Sequence, residues 1–503
     1  MKTAASPHIL PHIPLDRSAG VPLHRQIYER LRRAILDGLL RPGQRLPSTR
    51  ALAAELEVSR LPVLTAYEQL LHEGYLEGRV GAGTFVSETL PDDAFRSVPL
   101  HDRRGSAAPR PAATIRAARS ERGRATRGAP YKGGLRPFRM SLPALDEFPH
   151  AIWARIVARH ARALTPLRMA YGEPAGVRAL RAAIAEHLRT ARAVRCEAED
   201  VLVVSGSQAA LRICAAVLLE RGDRVAMEEP GYPLARAAFG AGGAELALVP
   251  VDDEGMSVAA LRALHDGVRA AYVTPSHQYP LGVSITAARR LALLDWAAHR
   301  GAWIIEDDYD SEYRYVSRPL GALQGMDSHQ RVVYIGTFSK VLFPALRVGY
   351  IVVPPVLRQK FVDAREAFDI FSPTLYQLAL VDFLEEGHFA RHLRRMRAIY
   401  LRRRAALIDG VARHCRGRLH VHNADAGLHI TTFLAAGISD LDVLERMNAR
   451  GLTATALSTC YAGPLPRNGL LLGFGGSAEH RIARATSVLG EILRETTGSG
   501  LES

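Results

Sequence analysis

Between Pro91 and about Met140 the chain follows neither a helical nor a strand period, and it fills instead with Arg, Ala, Pro, Gly and Ser. So long a stretch with so little apolar patterning builds no core, which divides the 503 residues into separately folding bodies. The charge is concentrated in the same place. Of the formal net +14, residues 91–140 carry 12 basic and 4 acidic side chains (+8), whereas residues 1–90 carry 11 and 9 (+2). The expected organisation is a first domain over 1–90, a basic flexible linker over 91–136, and a second body over 137–503 with a small lobe from about 385. Hydrophobic residues make up 48% and charged residues 23%, a globular balance that excludes a disordered, collagen-like or coiled-coil chain. No apolar run approaches the roughly 20 residues of a membrane helix, and prolines and histidines stand where a signal peptide has its apolar core. The four cysteines are far apart with no C-x-x-C pair. The expectation is a cytoplasmic protein with neither a disulfide framework nor a structural zinc site.

In the first domain Leu23, Ile27, Leu31 and Ile35 recur every four residues, which predicts an amphipathic helix over 22–38 that stops at Gly38. Ser48 is placed to cap a second helix, and Ser59 a third that runs to about His72. Pro62 falls in the first turn of that third helix, where its missing N–H costs nothing. Tyr75–Arg79 and Thr84–Ser87 then read as a hairpin around the glycine-rich tip at 81–83. Three helices and a hairpin make an α+β winged helix-turn-helix. Such modules insert the start of one helix into the major groove and hold phosphates with neighbouring serines and arginines. The candidate contacts to a double-stranded DNA operator are Arg45, Ser48 and Arg50, then Ser59 and Arg60, with Arg79 and Gly83 on the wing.

The second body alternates short apolar runs with helical stretches: 201–204, 224–227, 270–274, 303–307, 332–336 and 349–353. That alternation predicts an α/β body around a mostly parallel sheet. Lysine is scarce, occurring only at Lys2, Lys132, Lys340 and Lys360. Lys340 follows a predicted strand, with Thr337 and Ser339 before it and Arg347 after it, so an amine sits among phosphate-binding donors. A pyridoxal 5'-phosphate (PLP) site needs that combination: an amine for the aldehyde, and hydroxyls, an arginine and a helix N-terminus for the phosphate. Ser207 and Gln208 behind Gly206 supply the helix start. Asp307 at a strand end is the candidate partner of the ring nitrogen, and Tyr309 emerges on the same side to meet the ring hydroxyl. No histidine pair at ligand spacing joins the acidic run 306–308, so no metal is expected.

Residues 22–86 resemble the DNA-binding domain of the GntR superfamily, through G-Q-R-L-P-S-x-R, V-S-R, A-Y-x-x-L-x-x-E-G-Y and G-x-G-T-F-V. From about 137 to the end the chain resembles fold-type I aminotransferases, and its stretches VLVVSGSQAAL, EEPGYP, VTPSHQYPLG, IIEDDYDSEYRY, GTFSKVLFPALRVGY and AGLHI look like the MocR branch of GntR regulators. The resemblance implies Lys340 as the Schiff-base lysine, Asp307 at the ring nitrogen, Tyr309 at the ring oxygen and Tyr232 stacked on the ring. It implies Ser207, Gln208, Thr337, Ser339 and Arg347 around the phosphate. It also implies a homodimer in which Tyr171 reaches the partner subunit's phosphate.

Five positions depart from these patterns. Leu61 and Pro62 stand where the superfamily commonly has Asn-Thr, Tyr279 where aminotransferases place an Asn, and Leu234 where a GABA-responsive relative has an arginine. Leu471 takes the place of the arginine that clamps a substrate carboxylate. The expected function is a transcriptional regulator that senses PLP, or a small-molecule amine or amino acid that reacts with PLP. The alternative is a working aminotransferase that carries a DNA-binding domain.

Overall fold

The computed structural model describes residues 15–17, 20–79, 82–88, 135–264, 267–315, 321–465 and 467–498. The linker expected over 91–136 lies outside them except for its last two positions. The chain divides into two compact units, residues 1–110 and 111–503.

The first unit contains α1 (Leu23–Leu36), α2 (Thr49–Glu55) and α3 (Arg60–His72), then β1 (Leu76–Arg79) and β2 (Gly83–Val86). The four-residue stripe of α1 buries Ile27, Leu31 and Ile35, while Leu23 at the helix start stays half-buried. These pack with Leu52, Val63, Tyr67, Leu70 and Val86 into one core. The wing is antiparallel, with Leu76 opposite Val86 and Arg79 opposite Gly83.

In the second unit all six predicted runs become strands of one eight-stranded sheet: β3 (Val201–Val204), β4 (Arg224–Glu229), β7 (Val268–Val273), β8 (Trp303–Asp308), β9 (Val332–Thr337) and β10 (Gly349–Val352). It is completed by β5 (Glu245–Asp252) and β6 (Gly255–Met256), which the sequence did not announce because Pro250 and a charged end interrupt the apolar run. The order is β3-β10-β9-β8-β7-β4-β5-β6. β4, β5, β7, β8 and β9 pair in parallel, and β10 runs antiparallel to both of its neighbours.

Helices cover both faces, and the two-residue period of the strands separates the two cores. Val225, Met227, Tyr272 and Ile305 enter the core that holds helices Ser207–Leu218 and Arg358–Asp369. Ala226, Ala271 and Ile304 enter the opposite one, with helix Ala287–Arg300.

The small lobe is a four-stranded antiparallel sheet, β11 (Leu419–Asn423), β12 (His429–Leu434), β13 (Thr455–Ala456) and β14 (Gly469–Gly473), in the order β11-β12-β14-β13. The long helix His388–His414 and the final helix Glu479–Gly498 pack on one of its faces, with Ile430, Leu470 and Leu472 pointing into that core. One segment joins the lobe from far away in sequence. Phe138 is fully buried there and bridges to Gly473, where a side-chain Cβ would lie 2.1 Å from the Arg139 carbonyl oxygen. Only glycine admits that crossing.

Because Phe138 fills this non-local junction, Phe138→Ala is expected to destabilise the second body by about 3–5 kcal/mol, measured by urea unfolding. A change within the few tenths typical of a surface substitution would contradict the packing.

Candidate ligand site and nucleic-acid surface

In the winged helix, Ser48 caps α2 by accepting from the Ala51 N–H at 3.2 Å. Arg60 ties α3 to α2 by donating from Nε to Thr49 Oγ1 at 3.1 Å. Ser59 holds the N-cap position of α3 but makes no side-chain cap hydrogen bond, so the expected cap is absent and its hydroxyl lies on the exposed surface. Arg45 and Arg50 are exposed, and Leu61 is 69% exposed on the first turn of α3. Arg79 departs from the simple picture of a bare wing cation. It pairs with Glu77 at 2.5 Å and Glu88 at 3.1 Å and lies over the Phe85 ring. Gly83, at φ +113°, allows Arg45 to pack across the wing, since a Cβ would fall 3.1 Å from Arg45 Nε.

The second unit gathers its chemistry at the carboxyl ends of β7, β8 and β9 and the start of helix Ser207–Leu218. Asp307 ends up on the same sheet face as Tyr272, whose hydroxyl donates to Oδ2 at 2.7 Å, while Oδ1 is buried without a partner. Burial pushes the Asp307 carboxyl up to about 6, against the opposing Tyr272 hydrogen bond. Lys340 donates from Nζ to the Ser141 carbonyl at 3.3 Å. Burial pulls its amine down to about 8, an effect only partly countered by Asp310 and Asp307.

Thr337 closes β9 and accepts at Oγ1 from the Ser339 N–H at 3.1 Å. Arg347, in the left-handed region at φ +53°, donates to the Ser205 carbonyl at 2.6 Å. Gly206 at φ +90° lets this guanidinium approach, since a Cβ there would lie 2.9 Å from Arg347 Nη2. Gln208 Nε2 is buried without a partner beside it in sequence. The helix start and the arginine are thus brought together at one backbone approach.

The opposite wall is aromatic. Tyr232 meets Tyr279 edge-on at 5.2 Å, and Tyr279 meets Tyr309 at 6.3 Å. The Tyr309 hydroxyl lies 3.1 Å from His277 Nδ1, which is also 2.9 Å from Asp310 Oδ1. The His429 ring lies 4.9 Å from that of His277. His277, Asp310 and His429 bring three possible metal-ligating atoms within 4.8 Å of one another, a cluster that the spacing along the chain does not reveal. They come from VTPSHQYPLG, DDYD and AGLHI, which lie far apart in sequence, and no local pattern joins them. Tyr272 was likewise not singled out. Tyr171 is 83% exposed against Phe371. Leu167 and Met169 before it are exposed as well.

The comparisons with known proteins match this division. Residues 23–86 fit the family of bacterial regulatory proteins called gntR, and residues 145–465 fit aminotransferase class I and II. The probable rhizopine catabolism regulatory protein MocR of Rhizobium meliloti is 41% identical over 92% of each chain. The chain belongs to the MocR subfamily of GntR regulators. This MocR-type chain is also 34% identical to the pyridoxine biosynthesis transcriptional regulator PdxR of Corynebacterium glutamicum, over 90% of this chain and 92% of that one. Its second body superposes on the α-aminoadipate aminotransferase LysN of Thermus thermophilus, solved with N-(5'-phosphopyridoxyl)-L-leucine, at a TM-score of 0.69 and 27% identity, covering 76% of this chain and 99% of that one. It is therefore a DNA-binding regulator with an aminotransferase-like domain. Among its described helices none is long and apolar enough to cross a membrane.

Acylation of Lys340 followed by peptide mass analysis is expected to be half-maximal near pH 8, because only the neutral amine reacts. Asp307→Asn removes a charge that holds the proton on and should move the midpoint lower. A midpoint near the ordinary lysine value of 10.5 would contradict the burial.

Proposed function

We propose that this regulator holds PLP in its second body and adjusts its DNA binding to PLP, or to an amine that reacts with PLP. The observation that carries the reading is the unpartnered, buried Oδ1 of Asp307 on one side of a site whose other side holds the low-pKa amine of Lys340. A protonated pyridine nitrogen would satisfy that oxygen and stabilise the carboxylate. Bound there, PLP supplies an aldehyde that condenses with primary amines.

Lys340 then acts as the resident amine, and Tyr309 bonds the ring oxygen. Tyr232 covers the ring. Ser207, Gln208, Thr337, Ser339 and Arg347 take the phosphate, for which the Gly206–Arg347 approach and the spare donor of Gln208 are suited. The exposed Tyr171, with Leu167 and Met169, fits a face that a second subunit covers in a homodimer.

DNA is read by α3. Ser59 and Arg60 open it, and Leu61 offers an apolar contact of the kind that recognises a thymine methyl. Arg45, Ser48, Arg50 and the wing around Gly83 take phosphates, with Arg79 exchanging Glu77 and Glu88 for the backbone. The domains run over 1–90 and 137–503, joined by the linker over 91–136, and the protein works in the cytoplasm. A second reading, turnover of amino acids, is favoured by the Lys340 amine, a suitable general base near neutral pH. It is opposed by the apolar Leu471 at the clamp position.

The test is a gel-shift titration on a duplex selected by repeated binding from random sequences, with and without PLP. PLP is expected to change the affinity or the footprint, and Lys340→Ala to bind DNA without that response. Unchanged affinity and footprint would overturn the reading.

A further inference from the structure

A strap at the start of the second body, residues 137–144, runs from the small-lobe sheet to the long helix His388–His414 and passes Lys340 on the way. The lobe holds its beginning: the Thr453 N–H donates to the Pro137 carbonyl at 3.2 Å, and the Gly473 N–H to that of Phe138 at 3.0 Å. At its far end the Ala144 N–H donates to the Tyr400 hydroxyl at 2.9 Å. Between these ties the Lys340 amine donates to the Ser141 carbonyl at 3.3 Å, across 199 residues of sequence.

The strap bends where it meets the lysine. Phe138 and Ser141 both adopt left-handed backbone, each at φ +64°. A residue with a Cβ keeps such a conformation only where its surroundings impose it. For Phe138 they do so through burial of its ring in the lobe core and the bridge to Gly473. Ser141 is half-buried, and its carbonyl is tied by the Lys340 amine. A chemically reactive group therefore supplies the bond that holds this turn.

A free amine has hydrogens to donate, whether charged or neutral. When Lys340 condenses with an aldehyde, a C=N bond forms, the C=O bond breaks, and both hydrogens of the neutral amine leave in the water released. The Ser141 carbonyl then loses its donor. An incoming primary amine that takes over the same carbon passes its own two hydrogens to the lysine nitrogen, which is free to donate again. We propose that the strap reads whether Lys340 is free: it is tied in the protein without PLP, loosened when Lys340 holds PLP, and tied again when another amine takes the aldehyde. Since the strap follows directly in sequence from the linker that leads to the DNA-binding domain, PLP and a PLP-reactive amine move it in opposite directions. This rests on the reading that Lys340 is the amine that receives PLP.

Hydrogen exchange on the full-length protein, read by mass spectrometry, tests this at the Ala144 amide of the strap and at the Thr453 and Gly473 amides that donate to it. PLP loading is expected to speed exchange at these amides about five- to tenfold, the worth of one hydrogen bond. Excess methoxyamine, whose NH2 group takes the aldehyde, should return it to the rate without PLP. Lys340→Ala should exchange at the fast rate with or without PLP, and Lys340→Arg, which keeps a donor but does not condense, at the slow rate in both. Unchanged exchange in protein whose Lys340 is shown by borohydride trapping to carry PLP overturns this inference alone, as does exchange that stays fast after methoxyamine. Failure of the protein to take up PLP, seen as no visible absorption after dialysis, overturns it together with the reading beneath it.

Discussion

The pleat of β8 sorts three consecutive carboxylates to opposite faces of a buried sheet, and the site depends on that separation. Glu306 and Asp308 point one way. Glu306 accepts from the N–H groups of Leu323 and Gln324 at 2.9 and 2.8 Å, and Asp308 accepts from Arg192 Nε at 2.9 Å and the Tyr334 hydroxyl at 2.7 Å. Asp307 points the other way, toward Tyr272 and Lys340, and keeps one oxygen unmatched. Buried carboxylates are costly unless they are bonded. Two of the three are satisfied by the protein, and Asp307 Oδ1 is not.

Around this carboxylate the sheet order decides what else arrives. Adjacent parallel strands end side by side, so Tyr272 from β7, Asp307 from β8 and Thr337 from β9 meet at one edge. The β9–β10 connection then carries Lys340 and Arg347 over it. In the small lobe, β12 and β14 alternate so that Ile430, Leu470 and Leu472 enter its own core while His429 and Leu471 lie on the opposite face. Leu471 gives that face an apolar side chain, packed on Leu281, Val283 and Cys460. A ligand shifts DNA binding only so far as it binds two arrangements of the protein unequally.

Local signals made much of this legible in the sequence. The α1 stripe, the Ser48 cap and the six apolar runs each follow from short-range periodicity, and the scarcity of lysine alone isolates Lys340. The failures are non-local or depend on geometry. Ser59 stands at its cap position without making the bond, and Arg79 is matched by Glu77, its neighbour on one face of β1, and by Glu88 beyond the hairpin. β5 was hidden by Pro250, and Phe138 packs on β14 from the far end of the domain. His277 and His429 were invisible as a pair because only tertiary folding brings VTPSHQYPLG and AGLHI together.

The claim at the centre of this account is that Lys340 is the amine that holds PLP beside Asp307. With only four lysines in the chain, one measurement tests it directly. The protein is incubated with PLP and treated with sodium borohydride, which fixes any lysine joined to the cofactor, and its peptides are then weighed. The account predicts the phosphopyridoxyl mass on the peptide that contains Lys340 and its loss in Lys340→Ala. The same mass on Lys2, Lys132 or Lys360 instead, or on no lysine at all, would contradict it.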